Sequence, residues 1–173
     1  MKKILAFALT LALSLTVLAG CSNGGSKTSD KTPEELTQLY SDAITANGGE
    51  LVEYNPIVSE ISEEDPLSPV ILESLGLTQE DMTAFAISMS MMNVKAYGIA
   101  AVMPAEGKEE AVTEALQGYI DRQQQSFETY LADQYEVAKN ARLETLEDGT
   151  VLMVMCEGQD TIFDGISSSI LEA

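Results

Sequence analysis

The chain predicts an α+β fold: an antiparallel four-stranded sheet in ββαββα order, with helices packed mainly on one face and preceded by N-terminal helices. Three observations predict it. Apolar residues alternate with a period of two over 82–91, 97–103 and 135–146, and they recur at helical spacing over 106–131 and 162–170. Asp148-Gly149, a favoured hairpin turn, separates the last alternating run from the unbroken apolar run 151–156. Strands joined by hairpins and followed by helices build a sheet with a helical layer on it.

The N-terminus is read first because it sets location. Met1-Lys2-Lys3 is basic, 4–17 is uncharged, and Leu18-Ala19-Gly20-Cys21 places small residues before a cysteine. This is the layout of a secretory signal ending in a lipoprotein cleavage site. Cleavage is expected between Gly20 and Cys21, with a diacylglyceryl group on the Cys21 thiol. The run is short of the roughly 20 apolar residues a transmembrane helix needs, and no stop-transfer charges follow it. The expected organisation is therefore a signal peptide over 1–20, a flexible Ser/Gly/Asn/Lys tether over 21–31 and a single α+β domain over 32–173. Acyl chains on Cys21 would hold the protein at the extracytoplasmic face of the cell membrane.

Composition narrows the function. The chain carries a formal charge of −19 over 173 residues, and removing Lys2 and Lys3 with the signal takes it to −21. Such a surface repels nucleic acid, which is excluded as a partner, and anionic lipid or wall polymers. Acylation of Cys21 would leave Cys156 without a partner for a disulfide. Cys156 ends the run Val151-Leu152-Met153-Val154-Met155, the setting of a buried small hydrophobe rather than of a nucleophile.

The folded part opens on a helix start at Thr32-Pro33-Glu34-Glu35, with Thr32 as cap, Pro33 in the first turn and Glu35 closing a capping box. Leu36, Leu39, Tyr40 and Ile44 make its apolar stripe, and Asn47-Gly48-Gly49 stops it. Tyr54-Asn55-Pro56 favours an extended or turning chain. A short helix over 68–75 ends at Gly76, and Glu60, Glu63, Glu64 and Asp65 precede it, where negative charge suits a helix N-terminus. These acids lack the spacing and turn glycine of a calcium loop.

From Met82 the period is two. Phe85, Ile87, Met89 and Met91 form a bulky face, and Ala84, Ala86, Ser88 and Ser90 a small one. Asn93-Val94-Lys95-Ala96 supplies a turn, and the strand 97–103 follows, with Tyr97, Ile99, Ala101 and Met103 on one face and Pro104 closing it. The helix over 106–131 presents Val112, Leu116, Tyr119, Ile120, Phe127 and Tyr130 to the sheet. A strand over 135–146 is expected to set Tyr135, Val137, Ala141 and Leu143 on one side. The run 151–156 is apolar on both faces, as a central strand is. Asp160 is expected to cap the last helix, whose stripe is Ile162, Phe163, Ile166 and Ile170.

The run Ile87-Ser88-Met89-Ser90-Met91-Met92-Asn93-Val94, with Tyr97-Gly98-Ile99-Ala100-Ala101-Val102, Arg122-Gln123-Gln124, Leu131-Ala132-Asp133-Gln134-Tyr135-Glu136 and the terminal hairpin and helix, resembles domain-of-unknown-function family 4358. The resemblance spans about residues 67–172. It implies a small secreted or lipid-anchored bacterial protein of uncharacterised activity and carries no catalytic residue. Where a bulkier aromatic often follows the hairpin turn in that family, this chain has Gly149-Thr150.

Chemistry is thinly represented. Histidine is absent, and no Gly-x-Ser-x-Gly elbow, phosphate-cradling loop or Cys/His metal set is present. Lys95 lies near Ser88 and Ser90 in sequence, but their strand positions suit a small-residue packing face better than a Ser/Lys pair. The methionines invite a soft-metal or adaptable-binding role, yet most occupy core-facing positions where methionine fills gaps. No enzyme activity, metal or cofactor is therefore expected. The expected function is a non-catalytic binding or interaction module with an unknown protein or small-molecule partner; the alternative is an envelope substrate-binding or hydrolytic lipoprotein. The candidate binding face is Ala84, Ala86, Ser88 and Ser90, provided that helices leave it open.

Overall fold

The computed structural model describes residues 31–62 and 66–173. The signal, the cleavage site at Gly20 and Cys21, the tether up to residue 30, and the acids Glu63, Glu64 and Asp65 lie outside the described residues. Among the described residues, no helix is long and apolar enough to cross a membrane.

Helix α1 (Pro33–Asn47) starts on the expected capping box: the Glu35 amide donates to Thr32 Oγ1 at 3.3 Å, and the Thr32 amide donates to Glu35 Oε2 at 2.8 Å. A one-turn helix α2 (Leu51–Tyr54) and helix α3 (Leu67–Leu75) follow, the latter stopped by Gly76 at φ 79°. Strands β1 (Met82–Met89) and β2 (Gly98–Pro104) pair as antiparallel neighbours, with Phe85 opposite Val102 and Ala86 opposite Ala101. Helix α4 (Glu109–Phe127), helix α5 (Ala132–Lys139), the hairpin of β3 (Arg142–Thr145) and β4 (Val151–Met155), and helix α6 (Gln159–Leu171) complete the chain. The sheet order is β1-β2-β4-β3, antiparallel throughout.

Helices cover both faces, rather than mainly one. Phe85, Ile87, Met89, Val102, Val151, Met153 and Met155 form one core with α3, α4 and α5. Ala84, Ala86, Ile99, Ala101, Leu152 and Val154 form a second core with Tyr40 and Ile44 of α1 and Phe163 and Ile166 of α6. The physical reason is visible in the strands. β2 and β4 are central and buried on both sides, and an apolar face left to water would forfeit about 1.5–3 kcal/mol per large side chain. The outer edge of β1 is partly closed by Val58, which exchanges backbone hydrogen bonds with Ile87 at 2.8 and 2.9 Å.

Three further expectations are corrected. The segment expected as a strand from residue 135 is helical to Lys139, and β3 is only four residues long. Gln134 and Ala138, four apart, are its buried positions, and Ala132 to Lys139 is rich in good helix formers. A four-residue alternation of half-buried side chains was too short to distinguish the two periods. Met91 leaves the bulky face, because β1 ends at Met89. Asp160 does not cap α6: Gly158 occupies the cap position at φ 74° without a side-chain bond, and Asp160 sits 3.6 Å from Arg142.

Where α1 crosses α6 the approach needs a glycine. A Cβ built on Gly165 would lie 2.6 Å from Asn47 Oδ1, while the Asn47 side-chain amide donates to Ser169 Oγ at 3.0 Å.

Candidate functional site

The small-residue face does not form the groove anticipated for it. Ala84, Ala86 and Ser88 are buried beneath α1 and the 55–58 segment, and Ser90 is half-buried beyond the strand end. Ser88 Oγ donates to the Asn55 carbonyl at 2.7 Å, so it accepts from the Tyr97 hydroxyl at 2.9 Å. Burial lifts the Tyr97 phenol to about 12. Lys95 points elsewhere, to Glu157 at 2.6 Å. A second hydroxyl chain ties α1 to the hairpin on the same face. Thr150 Oγ1 donates to Asp148 Oδ2 at 2.8 Å and therefore accepts from Tyr40 at 2.7 Å. Burial dominates at Tyr40 and raises its ionisation above the ordinary phenol range. Both chains are satisfied and enclosed, and they fix helix positions.

Cys156 is buried on that face as well. Burial, with the Glu157 charge, pushes its thiol up to about 11, so it is held protonated in the physiological range. Asp81 moves the other way: hydrogen bonds from Thr78 and then Lys108 hold its carboxyl at about 2. The Lys108 ammonium lies 2.9 Å away and clamps the start of α4 to the start of β1. Arg142 makes the matching clamp on the other side of the sheet. Its guanidinium bonds Glu144 at 2.7 Å and Asp164 at 2.8 Å and stacks 3.9 Å from the centre of the Phe163 ring. Each of these shifts or contacts has a structural explanation. Among the described residues, no group of three or more Cys, Asp or Glu side chains is arranged to hold a metal ion.

Two of the surface features among the described residues lie at opposite ends of the sheet. At the Met82/Pro104 end, a cleft of about 540 Å³ has an apolar floor of Pro33, Leu36, Met103 and Pro104, with Glu106, Glu109 and Asp148 around it. That volume lies within the range of small-molecule sites. At the Met89/Gly98 end, the turn over residues 90–97 displays Met91, Met92 and Val94 beside Tyr130. These four side chains are 49 to 66 % exposed, whereas Met82, Met89, Met153 and Met155 are buried. Isolated exposed apolar residues are ordinary, but a contiguous group is informative.

This turn is braced. The Tyr130 hydroxyl donates to the Asn93 carbonyl at 2.7 Å, and the Ala96 amide donates to the buried Gln134 Oε1 at 2.9 Å. The Met92 amide donates to Ser90 Oγ at 3.2 Å. A groove of about 370 Å³ runs between the turn and α4, lined by Met89, Met91, Met92, Tyr119, Arg122 and Ser126 among others. Sequence reasoning missed this corner because it assigned Met91 to a strand and Tyr130 to a helix stripe. The available signal was the adjacent pair Met91-Met92 just before a turn, where a strand's alternation has already lapsed.

The fold and its features are those of a small α+β domain with a structural interior and its distinctive chemistry on the surface. The chain belongs to the family described as Domain of unknown function (DUF4358), whose model matches residues 69–156, a narrower span than the 67–172 of the resemblance. The match contains the whole sheet, α3 from its third residue, α4, α5 and the methionine corner, and leaves α1, α2 and α6 outside. No curated protein and no solved structure matches the chain significantly.

Proposed function

We propose that this protein is a lipid-anchored extracytoplasmic lipoprotein whose folded domain serves as a non-catalytic binding module. The anchor reading rests on Leu18-Ala19-Gly20-Cys21 after a basic, then uncharged, N-terminus. The observation that carries the binding role is the methionine corner: three exposed apolar side chains on a turn fixed by side-chain hydrogen bonds, with Tyr130 exposed beside them. Ordered apolar surface of this kind lowers the entropy cost of association. The buried Tyr40 and Tyr97 hydroxyls and the Asp81 carboxylate are engaged in structural hydrogen bonds, and the Cys156 thiol is packed in the core, which supports a binding rather than a catalytic role.

The cleft at the other end favours a second reading, capture or hydrolysis of a small envelope component. Cell fractionation tests the anchor: Cys21→Ala should release the chain from membranes and abolish incorporation of labelled fatty acid. Retention of Cys21→Ala in the membrane fraction would sink that part. Ligand binding lost in Thr83→Arg, which fills the cleft, but kept in Met92→Ser would favour the second reading.

A further inference from the structure

We infer that the outer edge of β1 at Phe85 takes an extended basic segment of another protein as an added strand. This surface is separate from the methionine corner and stands independently of it. The direction of the backbone carries the inference. Ile87 exchanges both backbone hydrogen bonds with Val58, so its N–H and C=O point away from β2. The Ser90 amide donates to the Tyr97 carbonyl, so even-numbered residues of this stretch point towards β2. Residues two apart in a strand share a direction, and the β1–β2 register is unbroken from Ala84 to Met89. The N–H and C=O of Phe85 therefore point outward. Among the described residues, no backbone group pairs with them there. The chain continues from Val58 through Ser59 but bends at Glu60, the position that would face Phe85 in that line.

The space left is a groove of about 330 Å³ between this edge and α1, lined by Thr37, Ser41, Ser59, Thr83 and Phe85 among others. The Phe85 side chain is packed in the bulky-face core, so its backbone is what it offers to the groove. An unpaired donor and acceptor on a strand edge is the template for strand addition. A small apolar molecule would leave both groups unpaired, whereas a strand satisfies both. Charge then selects the strand. The charged residues lining the groove are Glu34 and Glu60, both exposed and neither in an ion pair among the described residues. Lys31 lines the neighbouring cleft, and Lys108 is engaged by Asp81. A second copy pairing edge to edge would add another Glu34 and Glu60 to the same place. A basic segment neutralises them instead.

The test uses the full chain purified from membranes in detergent, with a fluorescent peptide of about eight residues alternating Val and Lys, the length of an ordinary strand. A Val/Glu peptide of the same pattern and a Val/Lys peptide methylated on every backbone amide serve as comparison probes. The Val/Lys peptide should bind. Methylation, which keeps the charge and removes the donors, should weaken binding by roughly tenfold or more. Glu34→Lys with Glu60→Lys should weaken it by about fivefold or more. Both side chains are exposed, so an unchanged melting temperature verifies the fold. Met91→Ser with Met92→Ser should change binding by less than about twofold. Amide hydrogen exchange locates the strand: the Phe85 amide should exchange freely in the chain alone and slow by about tenfold or more with peptide bound. No binding by the Val/Lys peptide, or protection gathered at 90–97 instead of Phe85, would overturn the proposal. Equal binding by the methylated peptide would reduce the interaction to bulk charge, and equal binding by the Val/Glu peptide would remove the basic partner; either overturns it. Protection of Phe85 without any peptide would also overturn it. If that protection grew with protein concentration the occupant would be a second copy, and if it did not, a segment of the same chain.

Discussion

On one face of the sheet Phe85, Ile87, Val102, Met153 and Met155 supply the bulk, and α3, α4 and α5 fill the spaces between them. On the other face Ala84, Ala86 and Ala101 supply little, and Tyr40, Ile44, Phe163 and Ile166 descend from α1 and α6 instead. The second arrangement brings helix backbones closer and carries the buried hydroxyl chains through Ser88 and Thr150. It is also the face whose cover lies outside the family match: α1 ends at Asn47 and α6 begins at Gln159, while the match spans 69–156. The difference teaches that the matched part is a sheet with one layer of its own, and that in this chain flanking helices close the other side.

The largest test of that asymmetry removes the cover. Deleting α1 exposes the small face and loses the burial of Leu36, Tyr40 and Ile44. At about 1.5–3 kcal/mol each, these three contribute about 5 kcal/mol or more, against about 5–15 kcal/mol for a whole domain. The deletion should therefore abolish cooperative unfolding in a denaturant titration. A cooperative transition near that of the intact chain would show that the small face needs no cover.

Neighbouring residues on opposite faces sharpen the contrast. Ile87→Ala should cost about 2–5 kcal/mol by leaving a cavity on the bulky face. Ala86→Leu should cost about 1–3 kcal/mol for the opposite reason, by forcing α1 away. Chemical denaturation of both variants measures the pair, and a neutral Ala86→Leu would mean that the helix has room to spare.

The Asp81–Lys108 clamp predicts a smaller, pH-dependent effect. Asp81 in the folded state ionises at about 2 rather than 3.8. A depressed carboxyl stabilises the fold above its unfolded value, and that contribution is lost as pH falls from about 4 towards about 2. Asp81→Asn should flatten this part of the stability profile, with the clamp on the bulky side weakened; an unchanged acid slope would show that Asp81 does not carry it. The smallest effect concerns Cys156 on the other face. Its raised thiol keeps stability whole below pH 9 and lets it decline as pH rises towards about 11. At neutral pH it should resist alkylation until the chain unfolds. With Cys21 acylated, mass spectrometry should then count one added label, not two.

Much of this was legible in the residues. The alternation at 82–89 sorted both faces correctly, Asp148-Gly149 marked the hairpin, and Thr32 with Glu35 marked the first helix. Ala132 to Lys139 was not legible as a helix, because its local pattern fits either period and only the burial of Gln134 against Ala96 decides. The methionine corner was hidden for a related reason: exposure of Met91, Met92 and Tyr130 depends on where β1 and α4 stop, and boundaries are weakly encoded.

The sequence by itself determined the strand order along the chain, the chemical character of each sheet face and the acidic charge, since each follows from local periodicity and composition. Tertiary structure alone decided that helices lie on both sides and that α1 occupies the Ala84/Ala86/Ser88 face. It also decided that the exposed apolar surface gathers at the Met89 end of the sheet. These are consequences of long-range packing: an apolar face must be covered by whichever helices the connections can deliver, and no short stretch of residues encodes which ones arrive.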